Sequence, residues 1–245
     1  THPLCGSIPT VGRKTSVLQL GGMVPLTSID FPGHLAAVLF CQGCAWRCRY
    51  CHNPGLIVPR GKDEKPWPEI VDFLQRRQSL LEAVVFSGGE PTLQAALPAA
   101  IAEVRELGFK IGLHTAGIRP QALERVLPLV DWVGFDVKAL AEDTALITGI
   151  RGSGAANWRS LELLLASGVD YECRTTVHWH LLDCHKLWTL AKRLRDAGVE
   201  RYVVQCVRTA QMWDANLPAA PEPLHQGELW QLLEQLFPHF SLRGQ

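Results

Sequence analysis

The sequence predicts an α/β fold, a partial, TIM-like (β/α)6 barrel, and two observations carry that prediction. Short β-rich runs alternate with stretches of helical period along most of the 245 residues, and such βαβα order is typical of a parallel sheet covered by helices. A closed (β/α)8 barrel takes about 250 residues, yet only six strand–helix units can be counted in this chain. An open, partial barrel therefore fits better than a closed one.

The strands are predicted from β-branched and aromatic runs, and the helices from apolar residues at helical spacing. Gly108, Gly168 and Gly198 each follow a predicted helix, where a left-handed C-cap favours glycine. The predicted strands are His34–Phe40, Ala83–Phe86, Lys110–His114, Asp131–Val137, Tyr171–Val177 and Arg201–Val207. The predicted helices are Glu69–Leu80, Leu93–Leu107, Pro120–Leu129, Trp158–Ala166, Cys184–Ala197 and Glu228–Phe237.

The bulk composition suits one globular unit with a sizeable core. The chain is 47% hydrophobic and 20% charged, and its length is enough to bury such a core. From Arg208 to Gln226 the chain is rich in Ala and Pro, which indicates a surface connection. We therefore predict a single domain over residues 1–245, with an N-terminal extension over about residues 1–30 and a C-terminal linker plus helix over about residues 208–245.

Charge and hydropathy argue against nucleic-acid and membrane partners. Lys plus Arg and Asp plus Glu both total 24, so the surplus of basic residues that displaces counterions from nucleic acid is missing. No apolar run approaches the roughly 20 residues that span a bilayer, and Thr1 to Ser16 contain no segment typical of a signal peptide. Four of the eight cysteines crowd into one short stretch, which favours a metal or cluster site in a reducing compartment. We therefore expect a cytoplasmic protein.

Three successive predicted strands each carry one polar face. Side chains alternate along a strand, and strands buried on both sides are usually apolar throughout. We therefore expect the polar faces to line a wet lumen that receives a charged ligand, or alternatively to satisfy one another. The faces consist of Lys110, Gly112 and His114; Trp132, Gly134, Asp136 and Lys138; and Glu172, Arg174, Thr176 and His178.

The strongest chemical signal is the triplet Cys44, Cys48 and Cys51, spaced CxxxCxxC directly after the first predicted strand. Thiolates are the usual ligands of iron–sulfur clusters, and four saturate a cubane. Three from one loop would leave one iron open to the amine and carboxylate of an amino acid. Two other patterns stay open at this point, since a zinc site could form with Cys41 and His52, and Cys48–His52 has the spacing of c-type haem attachment.

The cysteine motif resembles that of the radical SAM superfamily, because Tyr50 precedes the last cysteine and His52 follows it. The segment Ser87-Gly88-Gly89-Glu90-Pro91 resembles the GGE motif of the same superfamily. The resemblance implies a [4Fe–4S] cluster on the three cysteines and S-adenosylmethionine beside it. It also implies that Tyr50 and His52 contact the adenine end, and that Ser87, Gly88, Gly89 and Glu90 meet the amino group, largely through their backbone.

Further segments resemble glycyl-radical-enzyme activases, most closely the activating proteins of anaerobic ribonucleoside-triphosphate reductases. The lead-in Met23–Gly33 is typical of that group, and the whole resemblance covers about Val17 to Val207. Asp136 and Lys138 resemble the DxK motif of such activases, and Arg174 stands where they carry an arginine. The resemblance implies that these three side chains contact the methionine end of S-adenosylmethionine.

The implied activity is reductive cleavage of S-adenosylmethionine to a 5′-deoxyadenosyl radical, which generates a glycyl radical on a partner enzyme, by resemblance anaerobic ribonucleoside-triphosphate reductase. The electron would come from a low-potential donor of the flavodoxin or ferredoxin type. Asp30 is predicted to touch the incoming glycine loop, with a turn-forming Asp as the alternative. Two other functions are a radical SAM enzyme acting on a small molecule such as a pterin, and a non-catalytic zinc-binding module.

The chain departs from activases at His114-Thr115-Ala116-Gly117, where they commonly carry Asp-Thr-Asn-Gly. Thr115 keeps its implied place at S-adenosylmethionine. In some relatives that Asp helps bind a monovalent cation, and histidine is a poor ligand for a hard cation, which argues against such a site here. Cysteines outside the triplet are predicted to be small buried hydrophobes, namely Cys5, Cys41, Cys173, Cys184 and Cys206.

Overall fold

The structure, a computed structural model, describes residues 17–62, 64–207, 212–219, 221–224 and 226–244. These residues form one eight-stranded sheet whose strands follow the order of the chain. The strands are β1 Leu20–Thr27, β2 Ala36–Cys41, β3 Ala83–Gly88, β4 Lys110–Thr115, β5 Trp132–Asp136, β6 Asp170–Val177, β7 Arg201–Cys206 and β8 His239–Arg243. The helices are α1 Trp67–Gln75, α2 Leu97–Glu106, α3 Pro120–Val126, α4 Thr144–Thr148, α5 Ser153–Ser167, α6 Cys184–Asp196 and α7 Gln226–Leu236.

The six predicted strand–helix units are confirmed, and each edge of the sheet carries one strand that was not predicted. Strands β2 to β8 run parallel, while β1 pairs antiparallel with β2. β1 lies in the predicted N-terminal extension, where two glycines and a proline interrupt the β pattern and the pairing shifts register. β8 has five residues, too few for alternation to stand out. Among the described residues β1 and β8 do not pair, so the barrel is open.

The predicted helices lie close to the observed ones, and the differences have local causes. Pro91–Leu93 forms a separate 3₁₀ turn, so α2 begins at Leu97 and not at Leu93. α5 begins at Ser153, ahead of the predicted Trp158, and the short α4 was not predicted. No helix in the described part of the chain has the length and apolar character to cross a bilayer. The predicted C-cap glycines are confirmed by φ angles of 91°, 74° and 98° at Gly108, Gly168 and Gly198.

The outer face of the sheet carries the main hydrophobic core. Helix α6 shows how the sequence builds it, because its buried residues recur at i, i+3, i+4 and i+7 and so form one stripe. Full burial of a leucine is worth about 1.5–3 kcal/mol relative to exposure, which holds the helix on the sheet. The stripe consists of Leu187, Leu190, Ala191 and Leu194.

The inner face of the sheet changes character along its strands. Near the strand starts, Phe31 from the β1–β2 loop stacks on Trp132 of β5, with ring centroids 5.4 Å apart, and both rings are buried. Towards the carboxyl ends the inner positions become polar, so the predicted polar faces are confirmed there, whereas Trp132, which was counted in such a face, is buried near the strand start. Parallel strands bring their carboxyl ends to one rim, which gathers His114 of β4, Asp136 of β5 and Arg174 of β6 at one end of the lumen.

Candidate active site

A cavity of about 240 Å³ opens at the carboxyl ends of the parallel strands. Of the predicted site residues, Asp30 is the one that does not line it. The predicted residues in the lining are Cys44, Cys48, Tyr50, Cys51, His52, Ser87, Gly88, Gly89, Glu90, Thr115, Asp136, Lys138 and Arg174. Residues that sequence reasoning did not assign to the site also line it, among them Trp46, Ile118 and Gln205.

A second cavity, of about 610 Å³, adjoins the first and is lined by Asp30. The Asp30 carboxylate accepts a hydrogen bond from Thr27 Oγ1 at 2.6 Å, so this residue stabilises its own turn as well as facing the cavity. The carbonyl oxygen of Asp30 lies 2.8 Å from His114 Nε2. The two cavities share His52, Asn53, Arg174, Thr176 and Gln205 in their linings.

The cysteine loop follows β2 directly and turns three free thiols towards the first cavity. Cys41, at the end of β2, is fully buried in the main core, as is Cys173, which confirms both predictions. The same prediction is wrong for Cys184 and Cys206, which are only partly buried, because they lie at the start of α6 and the end of β7. Cys5 lies outside the described residues.

The donor set of this loop fits a cluster with one open iron. Burial raises the pKa of the Cys44 thiol to about 12 and also raises that of Cys48, against the opposing effect of Lys138. Such thiols become thiolates only when a cationic centre replaces their protons. Among the described residues, no three His, Cys, Asp or Glu side chains are grouped as a single metal ion would require. The thiols line a cavity wall, and the fourth nearby cysteine, Cys41, is turned into the core.

The Gly88–Gly89 turn packs directly on the chain that leads into the cysteine loop. A Cβ at Gly88, where φ is +107°, would come within 2.6 Å of the Cys41 backbone, and one at Gly89 would collide with the Gly43 carbonyl. Gly89 N–H donates to Cys41 O and Glu90 N–H to Gly43 O, both at 2.9 Å. Because these donors are occupied, a ligand at this turn would meet carbonyl acceptors, which suit an ammonium group.

The Glu90 side chain joins the β3 turn to the end of β4. Its Oε1 accepts hydrogen bonds from Thr92 Oγ1 and Thr115 Oγ1, each at 2.6 Å, and its Oε2 accepts one from Ala116 N at 3.0 Å. Burial raises the pKa of this carboxyl group, and the hydrogen bonds oppose the rise. The side chains of Glu90 and Thr115 are therefore engaged with each other, and they shape the cavity wall.

Asp136 and Lys138, at the end of β5, form an ion pair of 2.8 Å in the cavity wall. Burial would lower the pKa of Lys138, but the charge of Asp136, reinforced by Tyr50 and Cys48, outweighs burial and raises it. Lys138 Nζ lies 5.9 Å from the centroid of the Tyr50 ring. The site therefore holds a permanent cation close to the cysteine loop.

Asn157 of α5 positions two of the strand ends that carry these residues. Its side-chain amide donates to Ala116 O at 2.7 Å and to Asp136 O at 2.8 Å, and it is fully buried. Sequence reasoning missed Asn157, because the predicted helix began one residue later. A polar residue next to a leucine-rich helix was the available signal.

Arg174 brings a second cation into the cavity. Its Nε donates to Glu172 Oε1 at 2.7 Å, and Arg243 of β8 donates to both oxygens of the same carboxylate, at 2.7 and 2.8 Å. Gly134 on the neighbouring strand leaves room for the guanidinium, since a Cβ there would collide with it. Arg243 was missed because β8 was not predicted. Both interpretations of the polar faces therefore hold. Glu172 is paired with other side chains of the protein, while Arg174 also lines the cavity.

His114 lies between the two cavities in a cationic environment. Its Nε2 is 3.0 Å from Arg174 Nη2, and its Nδ1 is 3.3 Å from Ser87 Oγ. Burial first, and then the charge of Arg174, lower the pKa of this imidazole well below its usual value. His114 is therefore a neutral hydrogen-bonding group at neutral pH.

Comparisons with known proteins agree with this geometry. A sequence model of the radical SAM superfamily matches residues 38–184. A Methanocaldococcus jannaschii protein, named as a glycyl-radical enzyme activating enzyme, is 30% identical over 213 residues, which cover 83% of this chain and 86% of that protein. The pyruvate formate-lyase-activating enzyme of Clostridium pasteurianum is 34% identical over 138 residues, 54% of this chain and 55% of that enzyme.

A solved structure shows the same fold. Streptococcus suis SuiB bound to S-adenosylmethionine superposes with a TM-score of 0.62 at 14% identity, over 83% of this chain and 48% of that one. The chain thus spans about half the length of SuiB and of the Clostridium enzyme. The superfamily match and the Methanocaldococcus relative each cover most of the chain. The chain therefore belongs to the radical SAM superfamily, whose members use a [4Fe–4S] cluster and S-adenosylmethionine, and within it to the glycyl-radical-enzyme activating enzymes.

Proposed function

We propose that this protein cleaves S-adenosylmethionine reductively and takes a hydrogen atom from the Cα of one glycine on a partner enzyme. The observation that carries the proposal is one cavity that combines three free thiols, an acceptor turn and two cations. When bound, the cluster supplies the electron that breaks the S–C5′ bond, which gives methionine and a carbon radical able to take the glycine hydrogen.

Residues of the chain would hold the cluster and S-adenosylmethionine next to each other. Cys44, Cys48 and Cys51 would hold three irons of the cluster, which would leave the fourth iron for the amine and carboxylate of S-adenosylmethionine. The carbonyl oxygens of the Gly88–Gly89 turn would accept hydrogen bonds from the N–H groups of that amine. Lys138 would face the carboxylate, because its charge is held by Asp136 within the same wall.

The remaining assignments concern the rest of the methionine end and the adenine end of S-adenosylmethionine. Arg174, fixed by Glu172, would contact the methionine end together with Asp136 and Lys138. Tyr50 and His52 would contact the adenine end, since both line the cavity. Ser87 lies at the end of β3, within reach of His114, and would close the same wall.

We further propose that the partner is a glycyl radical enzyme, specifically anaerobic ribonucleoside-triphosphate reductase. The lead-in Met23–Gly33 supports this choice through its resemblance to the activating proteins of that reductase. The larger second cavity adjoins the first and is open to the outside, as a glycine-bearing loop requires. Asp30 at its wall would touch that loop. A low-potential donor of the flavodoxin or ferredoxin type would provide the electron.

The test begins with anaerobic reconstitution, reductant and S-adenosylmethionine, and measures 5′-deoxyadenosine. The product is expected, and addition of the reductase should then produce a glycyl radical in electron paramagnetic resonance spectra. A radical on pyruvate formate-lyase alone would refute the choice of partner. Nucleoside product without a radical on any glycyl radical enzyme would favour a small-molecule substrate. A colourless, zinc-containing protein without product would refute the proposal.

A further inference from the structure

A segment far along the chain returns to the cysteine loop. Residues 212–219, here called the clamp segment, lie between β7 and α7 and outside the superfamily match at 38–184. Trp213 N–H donates to Cys51 O at 3.0 Å, and Asp214 N–H donates to Arg49 O at 2.9 Å. Both acceptors lie in the cysteine loop. The clamp segment therefore binds the backbone of Cys51, a candidate cluster ligand, and of Arg49, which lies between the candidate ligands Cys48 and Cys51.

An ion pair reinforces these backbone contacts. Arg49 Nε lies 2.7 Å from Asp214 Oδ2, and the hydrogen bond from Arg49 lowers the pKa of the Asp214 carboxyl group. Both side chains are partly exposed, so the pair by itself adds little stability. Its effect is on orientation, because it fixes the side chain of Arg49, a residue whose carbonyl the clamp segment also binds.

The opposite side of the cysteine loop is held by a different segment. Arg47 N–H donates to Thr148 O at 2.9 Å, and Arg49 N–H donates to Ile147 O at 3.0 Å. Arg49 thus donates its amide to one neighbour while its carbonyl accepts from the other. The loop lies between two segments, much as a central strand lies between two edge strands.

A small apolar cluster joins the two sides beneath the loop. Leu217 of the clamp segment packs in a buried group with Tyr50, Ala139 and Ile147. Tyr50 belongs to the cysteine loop, and Ile147 belongs to the segment on its other side. Leu217 therefore anchors the clamp segment behind the loop and keeps water from its rear face.

We infer that the clamp segment is a positioning element of the iron–sulfur site, which holds Cys48 and Cys51 in the geometry that retains a cluster. The inference rests on the proposed assignment of the cluster to the three cysteines. The cysteine loop has no regular secondary structure, so its order must come from neighbours that offset the entropy of fixing it. Supporting residues around a metal site commonly tune its affinity although they do not touch the metal.

The test compares cluster retention in variants of the full chain. Asp214→Ala and Leu217→Ala are expected to lose iron to a chelator about tenfold faster than the wild type, or more, followed by the decay of the cluster's visible absorbance. Their reduced clusters should also show altered paramagnetic resonance line shapes with S-adenosylmethionine. Asp214→Glu, which keeps the charge, should restore retention. Glu162→Ala removes the acidic partner of another arginine, the exposed Arg159, and should behave as the wild type.

The outcomes separate the inference from the proposed function. Wild-type retention and line shape in folded Asp214→Ala and Leu217→Ala proteins would refute the clamp, while the cluster assignment would stand. A wild-type protein that binds no cluster would refute the assignment itself. If circular dichroism shows that Asp214→Ala does not fold, Asp214→Asn, which keeps the size of the side chain, decides between the same two results.

Discussion

The two ends of the lumen differ in character although the same strands build both. On β5, Trp132 at the start is buried against Phe31, whereas Asp136 at the end is partly exposed and paired with Lys138. We call the first end apolar after these two buried rings, although charged residues, among them Lys110 and Asp131, line a further cavity beside them. The polar end gathers two cations and three thiols around a cavity. Stability is therefore expected to depend on the first end and ligand binding on the second, in the manner of functional sites that trade stability for chemistry.

The largest effect is expected at the polar end, from Cys48→Ser. This change removes one of three thiol ligands, so cluster assembly and 5′-deoxyadenosine formation should both be lost. The unfolding free energy of the metal-free protein should change by less than about 1 kcal/mol, because the side chain is nearly isosteric. Iron analysis and urea unfolding measure the two quantities. Cys184→Ser, on α6 and outside the cavity, should retain both cluster and activity, and a Cys48→Ser protein that kept its cluster would contradict the assignment.

At the apolar end, Phe31→Ala should lower the unfolding free energy by about 3–5 kcal/mol, the usual cost of deleting a buried phenylalanine ring. Urea unfolding of the metal-free protein measures the loss. Phe31→Leu should lose less, since it fills more of the space beside Trp132. The folded fraction of Phe31→Ala should still bind S-adenosylmethionine at the wild-type affinity once reconstituted. Lost binding with unchanged stability would show that the two ends are not separable.

The difference between the ends also explains what could be predicted from the sequence. The cysteine triplet, the Gly88–Gly89 turn and the Asp136–Lys138 pair are local patterns, and each was predicted to lie in the site. The alternation along β4 to β6 predicted the polar rim, because period-two spacing is a local property. The strand–helix order predicted the parallel sheet for the same reason.

The parts that could not be predicted depend on contacts between distant segments. Arg243 reaches Glu172 across 71 positions, and its strand is too short to recognise. Asp214 reaches Arg49 across 165 positions from a stretch whose composition indicates only a surface connection. Asn157 lies inside α5, just ahead of the start predicted for that helix at Trp158. In each case the side chain gains its role from the tertiary arrangement, and no spacing in the sequence records it.

A smaller effect is expected from a matched pair of glycine substitutions. Gly134→Ala would push against the Arg174 guanidinium, which Glu172 and His114 hold in place. Displacing one charged hydrogen-bond donor should weaken S-adenosylmethionine binding about tenfold. Gly112→Ala meets Val85 and Phe31 at 3.0–3.1 Å at the apolar end, so it should lower stability and leave affinity unchanged. Equilibrium binding and urea unfolding of both variants measure these effects. Unchanged affinity in Gly134→Ala, or weakened affinity in Gly112→Ala, would contradict the prediction.

The smallest expected effect is a pH dependence of stability, which arises from His114. Its pKa is lowered in the folded protein, chiefly by burial and next by Arg174. Above the ordinary value of 6.5 both folded and unfolded chains carry neutral imidazole, so this residue contributes no pH dependence. Below pH 6.5, His114 binds a proton in the unfolded chain but not in the folded chain. The free energy of unfolding therefore falls as the pH falls.

His114→Asn should reduce the slope of melting temperature against pH between neutrality and the acid side, measured on metal-free protein. The slope should not vanish, because burial also lowers the pKa of His178, which acts in the same direction. An equal slope in wild type and His114→Asn would mean that the folded protein accepts the proton beside Arg174, and that His114 is a cation at the mouth of the site.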